Sequence, residues 1–125
     1  MYCRGIRGAT TADHNDRAEI LAATTGLLQL MVSQNNLNID DIASIIFTVT
    51  EDLDAVFPAL AARQLGWSDI ALMCMREIPV PDSLGKCIRV LLHVNTTRSA
   101  SEIQHVYLRD AIHLRPAFAP KEKES

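Results

Sequence analysis

The chain has 125 residues, of which 48% are hydrophobic and 22% are charged, a composition that predicts one soluble globular domain with a single core. Its formal net charge of -3 argues against nucleic acid or an anionic membrane as a partner, because both require a clustered basic surface. No apolar run approaches the ~18 residues needed to span a bilayer, and the N-terminus lacks a secretion-signal pattern, so we expect a cytoplasmic protein.

The first half of the chain predicts two strands separated by a helix. Residues 2–10 are typical of a strand, and apolar residues at helical spacing predict an amphipathic helix from about residue 16 to residue 34. A capped helical turn is expected at 38–41. The β-branched and aromatic run at 43–50 then indicates a buried strand.

The second half predicts a short helix and three further strands. The helix opens at Phe57-Pro58-Ala59 and stops at Gly66. The strands are expected at 70–76, 87–95 and 105–114, with a rigid turn at 79–83 and a helical turn at 99–104. Residues 1–116 therefore form one domain, and 117–125 a mobile, charged tail.

Four arginines stand where a strand or the start of a helix would favour an apolar residue: Arg7, Arg63, Arg89 and Arg115. A guanidinium drawn out of water needs an anionic or carbonyl partner, because an unpaired buried charge costs several kcal/mol. We therefore expect the chain to hold an anion. For any one of these arginines alone, an ion pair or a solvated position is the simpler interpretation.

Strand alternation groups some of these residues. In the strand at 87–95, Arg89 lies on the face opposite the apolar residues. Arg7 lies on one face of the strand at 2–10, and Tyr107 lies on one face of the strand at 105–114. If these faces converge, two guanidiniums and a phenol line one cleft. Glu77 differs in parity from Cys74, so both can enter that cleft only with a bulge or a strand end there.

The remaining reactive residues form no recognisable catalytic set. Cys3, Cys74 and Cys87 are odd in number and include no Cys-x-x-Cys pair, which predicts free thiols rather than a disulfide framework or a zinc site. The sequence shows no Ser-His-Asp set, no carboxylate pair and no metal-ligand spacing. His93 and His105 are interpreted as structural or solvent-facing.

Six segments, taken together and in order, carry a family resemblance: RGIRGATT at 4–11, FTVTEDLDAVFPA at 47–59, CMRE at 74–77, CIRV at 87–90, HVYL at 105–108 and LRP at 114–116. They resemble the AroH-type monofunctional chorismate mutases of bacteria over nearly the whole chain. The resemblance implies an α+β fold with a mixed five-stranded sheet, assembled as a homotrimeric pseudo α/β barrel with active sites at the subunit interfaces.

The resemblance also implies a reaction, the rearrangement of chorismate to prephenate on the way to phenylalanine and tyrosine. This Claisen rearrangement is a one-step intramolecular shift without proton transfer, nucleophile, metal or cofactor. Catalysis then comes from holding the flexible substrate in a chair-like geometry and stabilising the charge that develops as the C–O bond breaks.

Residue roles follow from the same resemblance. Arg89 would donate to the ether oxygen and to a carboxylate, while Arg7 and Tyr107 would bind carboxylate oxygens. Glu77 would accept from the ring hydroxyl and oppose the positive charge that develops on the ring. Cys74 would be a neighbouring hydrogen-bonding group.

Other site residues would come from two further segments. Phe57, Ala59 and Arg63 would arrive from the adjacent subunit, and Leu114 and Arg115 from a C-terminal segment that closes over the site.

Two positions depart from the family pattern. Leu60 stands where some members have a lysine near the site mouth, and Met73 where some have threonine. Met73 is assigned to the substrate-binding wall, although Met73 and Met75 are most simply core filling.

Two other function classes stay open. A trimeric imine or enamine deaminase also grips a carboxylate with an interfacial arginine, and a non-catalytic sensor would bind a small anion without turning it over. The segments at 74–77 and 87–90 count against the deaminase. Turnover of chorismate separates all three.

Overall fold

The computed structural model describes residues 1–115, which form one mixed five-stranded sheet with two α-helices. The strands and helices are β1 (Tyr2–Thr11), α1 (Arg17–Gln34), β2 (Ile42–Val49), α2 (Ala59–Gln64), β3 (Ala71–Arg76), β4 (Cys87–Thr96) and β5 (Val106–Tyr107). Three 3₁₀ turns lie at Ile39–Asp41, Ala100–Glu102 and Arg109–Leu114. The predicted α+β fold with a mixed five-stranded sheet is confirmed.

The strand order is β3-β2-β4-β1-β5. Strand β4 runs antiparallel to both β1 and β2, whereas β3 is parallel to β2 and β5 is parallel to β1. One row of paired residues crosses all five strands: Met75, Thr48, Arg89, Ala9 and Tyr107. Paired residues point to the same side of a sheet, so this register places Arg89 and Tyr107 on one face.

The helices cover the opposite face and form the core with it. Helix α1 begins after Asp16, whose carboxylate accepts a hydrogen bond of 3.0 Å from the N–H of Glu19. Its buried side chains are those that the helical spacing predicted: Ile20, Thr24, Leu27, Leu28 and Met31. Gly8 permits the close approach of β1 to α1, because a Cβ atom there would lie 2.5 Å from Sδ of Met31.

The other face, here called the open face, is covered by neither α1 nor α2, and the 3₁₀ turn at Arg109–Leu114 packs on one end of it, where Ala111 contacts the cluster of Ala9, Cys87 and Tyr107. The prediction that β2 is a buried strand is wrong for its open-face residues Ile46 and Thr48, which are only partly buried. The core-filling interpretation of Met73 and Met75 is also wrong, since their exposed fractions are 58% and 44%. The residue pattern of a strand shows that one of its faces is apolar, but it does not show whether another part of the same chain packs against that face.

The fifth strand is much shorter than predicted. It ends at Tyr107, and Arg109 adopts a left-handed backbone conformation with φ of 54°, which no strand continues. Residues 109–114 instead form the 3₁₀ turn, which begins with a hydrogen bond from the N–H of Ala111 to the carbonyl of Leu108. The expected tail at 117–125 lies outside the described residues.

Candidate active site

Arg7, Arg89 and Tyr107 line one cleft on the open face, so the strand faces to which alternation assigned them do converge. The cleft has a volume of about 350 Å³, and its wall also contains Ile46, Thr48, Met75 and Leu91. The register explains the convergence, because Arg89 and Tyr107 both pair with Ala9 and Arg7 lies two residues before it on β1.

Glu77 fixes the guanidinium of Arg89. Nε of Arg89 lies 2.8 Å from Oε1 of Glu77, and both side chains are partly exposed. Glu77 is itself positioned by its backbone, whose N–H donates to the carbonyl of Val49 at 2.9 Å. A guanidinium has five N–H donors, so an ion pair through Nε leaves donors on the terminal nitrogens for a ligand.

The C-terminal turn borders this cleft. Leu114 packs against a small cluster formed by Ala9, Cys87, Tyr107 and Ala111, and Arg115 follows it as an exposed residue. Burial raises the pKa of the Cys87 thiol, although the positive charge of Arg89 opposes that rise. Cys87 is therefore a neutral packing group beneath the cleft.

His105 supports the strand that carries Arg7. The N–H of Arg7 donates a 2.9 Å hydrogen bond to Nδ1 of His105, which requires a lone pair on that nitrogen. Burial lowers the pKa of His105, and the charges of Arg7 and Arg115 lower it further, so the neutral ring is favoured. This contact extends the short β1–β5 pairing and fits the structural role predicted for His105.

Phe57, Arg63 and Cys74 line a different pocket, of about 530 Å³, beside edge strand β3, and Met75 contributes to both pockets. Phe57 is 73% exposed, although phenylalanine is among the residues most often buried. Ala59 is buried at the start of α2, and Leu60 contributes to the same wall.

Cys74 lines the Phe57 pocket, whereas Glu77 pairs with Arg89. The register of β2 with β3 runs unbroken from Ser44 and Ala71 to Val49 and Arg76, so β3 has no bulge, and Glu77 lies just beyond its end. Within one chain, Cys74 does not line the Arg89 cleft. Met73 lies on the open face, opposite Ile46, but outside the residues that line the Arg89 cleft.

Several residues that line these pockets were not predicted from the sequence, among them Thr48, Arg17 and Arg76. Thr48 lies in the Arg89 cleft, and its buried hydroxyl has no hydrogen-bond partner within residues 1–115. Arg17 and Arg76 line the Phe57 pocket. Parity with Arg89 could have indicated Thr48, whereas no local motif marks the two arginines. No group of His, Cys, Asp and Glu in the described residues could hold a metal ion.

Replacing Cys74 with serine is expected to preserve most of the activity. Burial raises the pKa of this thiol, while the backbone of Ala59 and the charge of Arg63 act in the opposite direction, so the neutral thiol dominates at pH 7. A group in that state packs and hydrogen-bonds but is a poor nucleophile. Steady-state kinetics of Cys74→Ser check this, and a substrate adduct trapped on Cys74 in mass spectrometry would contradict it.

Comparison with known proteins places the chain in a family. The family model for chorismate mutase type I matches residues 3–118. Chorismate mutase AroH from Thermus thermophilus is 47% identical over 114 residues, covering 90% of this chain and 93% of that protein. Chorismate mutase AroH from Bacillus subtilis is 43% identical over 117 residues, covering 93% of this chain and 92% of that protein.

A solved structure agrees with both sequence relatives. The chorismate mutase from Clostridium thermocellum superposes with a TM-score of 0.85 at 60% identity, covering 86% of this chain and 96% of that one. The family match, the sequence relatives and the shared fold all cover most of the chain. The chain therefore belongs to the type I chorismate mutase family.

Proposed function

We propose that this protein is an isomerase that converts chorismate to prephenate in aromatic amino acid biosynthesis, at a site shared by two subunits of a homotrimer. The observation that supports the shared site is the separation of the two pockets. Arg7, Arg89 and Tyr107 line one, Phe57, Arg63 and Cys74 line the other, and edge strand β3 lies between them.

The Arg89 cleft suits the substrate, which is a dicarboxylate with a flexible enolpyruvyl ether. Arg7 and Tyr107 bind carboxylate oxygens and so restrict the ether to a folded geometry. Holding both reacting ends in place removes much of the entropic part of the barrier. No acid, base or nucleophile is needed for this step.

Arg89 and Glu77 stabilise the charge that develops. As the C–O bond breaks, negative charge grows on the ether oxygen, and the terminal nitrogens of Arg89 donate to it. The carboxylate of Glu77, 2.8 Å from Nε, keeps the guanidinium oriented before the substrate arrives. It also accepts from the ring hydroxyl and opposes the positive charge on the ring. Preorganised donors of this kind act mainly in the transition state.

A homotrimer explains the surfaces that one chain leaves open. Ile46, Leu91, Met73 and Met75 make the open face apolar, and Phe57 protrudes on the other side of β3. In the proposed assembly the open faces form the inside of a barrel, and the Phe57 pocket of one subunit completes the Arg89 cleft of the next. Burying such patches between subunits is favourable. We place this enzyme in the cytoplasm.

Turnover of chorismate by the purified protein tests the proposed function. We expect chorismate absorbance to fall with the formation of one prephenate per chorismate consumed, and sedimentation to give a trimer. An imino acid, assayed in parallel, should not be hydrolysed. Stable binding of chorismate without turnover, or turnover of the imino acid alone, would contradict the proposal.

A further inference from the structure

A second group of arginines lies outside the cleft that holds Arg89. Arg17 starts α1, Arg63 lies on α2 and Arg76 ends β3, yet all three line the Phe57 pocket. Within residues 1–115, none of these three guanidiniums forms a hydrogen bond or a salt bridge. We call these three side chains the arginine rim.

The carboxylate in this pocket does not neutralise the rim. Asp54 is the acidic residue among the side chains that line the pocket, and its Oδ1 accepts a 2.7 Å hydrogen bond from Nδ2 of Asn15. Three cations therefore surround a pocket with one carboxylate, in a chain whose net charge is -3. The local charge is opposite in sign to that of the whole molecule.

Fold stability does not account for the rim. Arg17 occupies the first turn of α1, where the positive end of the helix dipole disfavours a cation. Placing three like charges around one pocket adds mutual repulsion. The positive potential that makes these placements unfavourable in the free protein attracts an anion, so both effects favour anion binding.

We propose that Arg17 and Arg76 are substrate-capture residues. With Arg63 they attract the dicarboxylate to the Phe57 pocket and bind a carboxylate at the mouth of the active site. This inference rests on the proposed function and adds two residues to its site. The captured carboxylate does not react, so the rim stabilises the bound substrate and the transition state equally. Its effect falls on KM and kcat/KM and leaves kcat unchanged.

Kinetics of the Arg17→Gln/Arg76→Gln double variant at several ionic strengths test the proposal. At low salt we expect KM to rise about 10-fold while kcat stays within about twofold of the parent, because steering by charge acts on the encounter. The difference in KM between the double variant and the parent should shrink as salt is added, because screening shortens the Debye length to about 10 Å at 0.1 M.

Arg4→Gln is the control for loss of a positive charge outside the pocket. It removes one positive charge from β1 opposite Val94, where Arg4 stacks on the ring of Tyr2 at 4.7 Å. We expect this variant to retain the KM and salt dependence of the parent. Thermal unfolding and sedimentation confirm that each variant is folded and assembled as the parent is.

Two outcomes overturn the capture role: a double variant with the KM and salt dependence of the parent, or one that loses kcat alone. If the proposed function is wrong, the parent protein itself will not consume chorismate, which distinguishes that failure from failure of the capture role. In that case calorimetry compares the binding of prephenate to the parent and to the double variant, without any need for turnover. Weaker binding by the double variant supports the rim, and unchanged binding overturns it.

Discussion

Replacing Arg89 with lysine is expected to lower kcat by about 10²- to 10³-fold or more, while the protein still folds and assembles. The ether oxygen is weakly negative in the substrate and much more negative in the transition state, so the lost interaction acts mainly on kcat. Lysine keeps the charge but not the planar fork. It cannot donate to Glu77 through one nitrogen and to the substrate through others in the same geometry.

Arg7→Ala provides the comparison for this prediction. Arg7 is proposed to hold a carboxylate that is present in both the substrate and the transition state, so a larger share of its loss should appear in KM. Steady-state kinetics of both variants, together with sedimentation, give the result. If Arg89→Lys raised KM and left kcat near the parent value, Arg89 would be a substrate anchor and the charge stabilisation would belong to another residue.

The elements with strong periodicity could be predicted from the sequence. Helix α1 is defined by apolar residues at helical spacing and by Asp16 at its start, and its bounds differ from the prediction by one residue. Strand β4 has one wholly apolar face, formed by Ile88, Val90, Leu92 and Val94, and its start at Cys87 agrees with the prediction. In both elements local propensity and burial favour the same structure.

The sequence-based predictions were wrong where contacts between distant residues determine the structure. Residues 105–114 alternate as a strand would, but Arg109 turns the backbone and the following residues pack as a 3₁₀ turn. Met73 and Met75 are apolar, which indicates a covered face, yet the cover is not part of the described chain. Periodicity shows which residues share a face and gives no information about what lies against it.

The same limit applies to the candidate site. Alternation within single strands assigned Arg7, Arg89 and Tyr107 to faces of their strands, and the register of β1, β4 and β5, which has no bulge at these residues, shows that these faces converge. Alternation also showed that Cys74 and Glu77 conflict in parity. In the structure Cys74 lines the Phe57 pocket, and Glu77, just beyond the end of β3, pairs with Arg89. Arg17 and Arg76 are far apart in sequence, so only the fold reveals that they share a pocket with Phe57.

The proposed shared site makes a prediction about mixed assemblies. An Arg89→Ala chain lacks the residue proposed to stabilise charge in the cleft, and an Arg63→Ala chain lacks a residue of the Phe57 pocket that is proposed to act on KM. At a chorismate concentration below the KM of the parent, each variant alone should therefore lose activity. When equal amounts are co-assembled, about one site in four should combine an intact cleft from one chain with an intact pocket from the other. Activity well above that of either variant alone is expected.

Mixing Arg89→Ala with Arg7→Ala is the matched control. Arg7 and Arg89 line the same cleft of the same chain, so every site in this mixture lacks one of them. The decisive measurement is therefore turnover of chorismate by the two co-assembled mixtures, side by side, at a chorismate concentration below the KM of the parent. We predict that activity recovers when Arg89→Ala is mixed with Arg63→Ala, and that it does not recover when Arg89→Ala is mixed with Arg7→Ala. Equal activity in the two mixtures, or a fully active monomer in analytical ultracentrifugation, would contradict an active site built from two subunits.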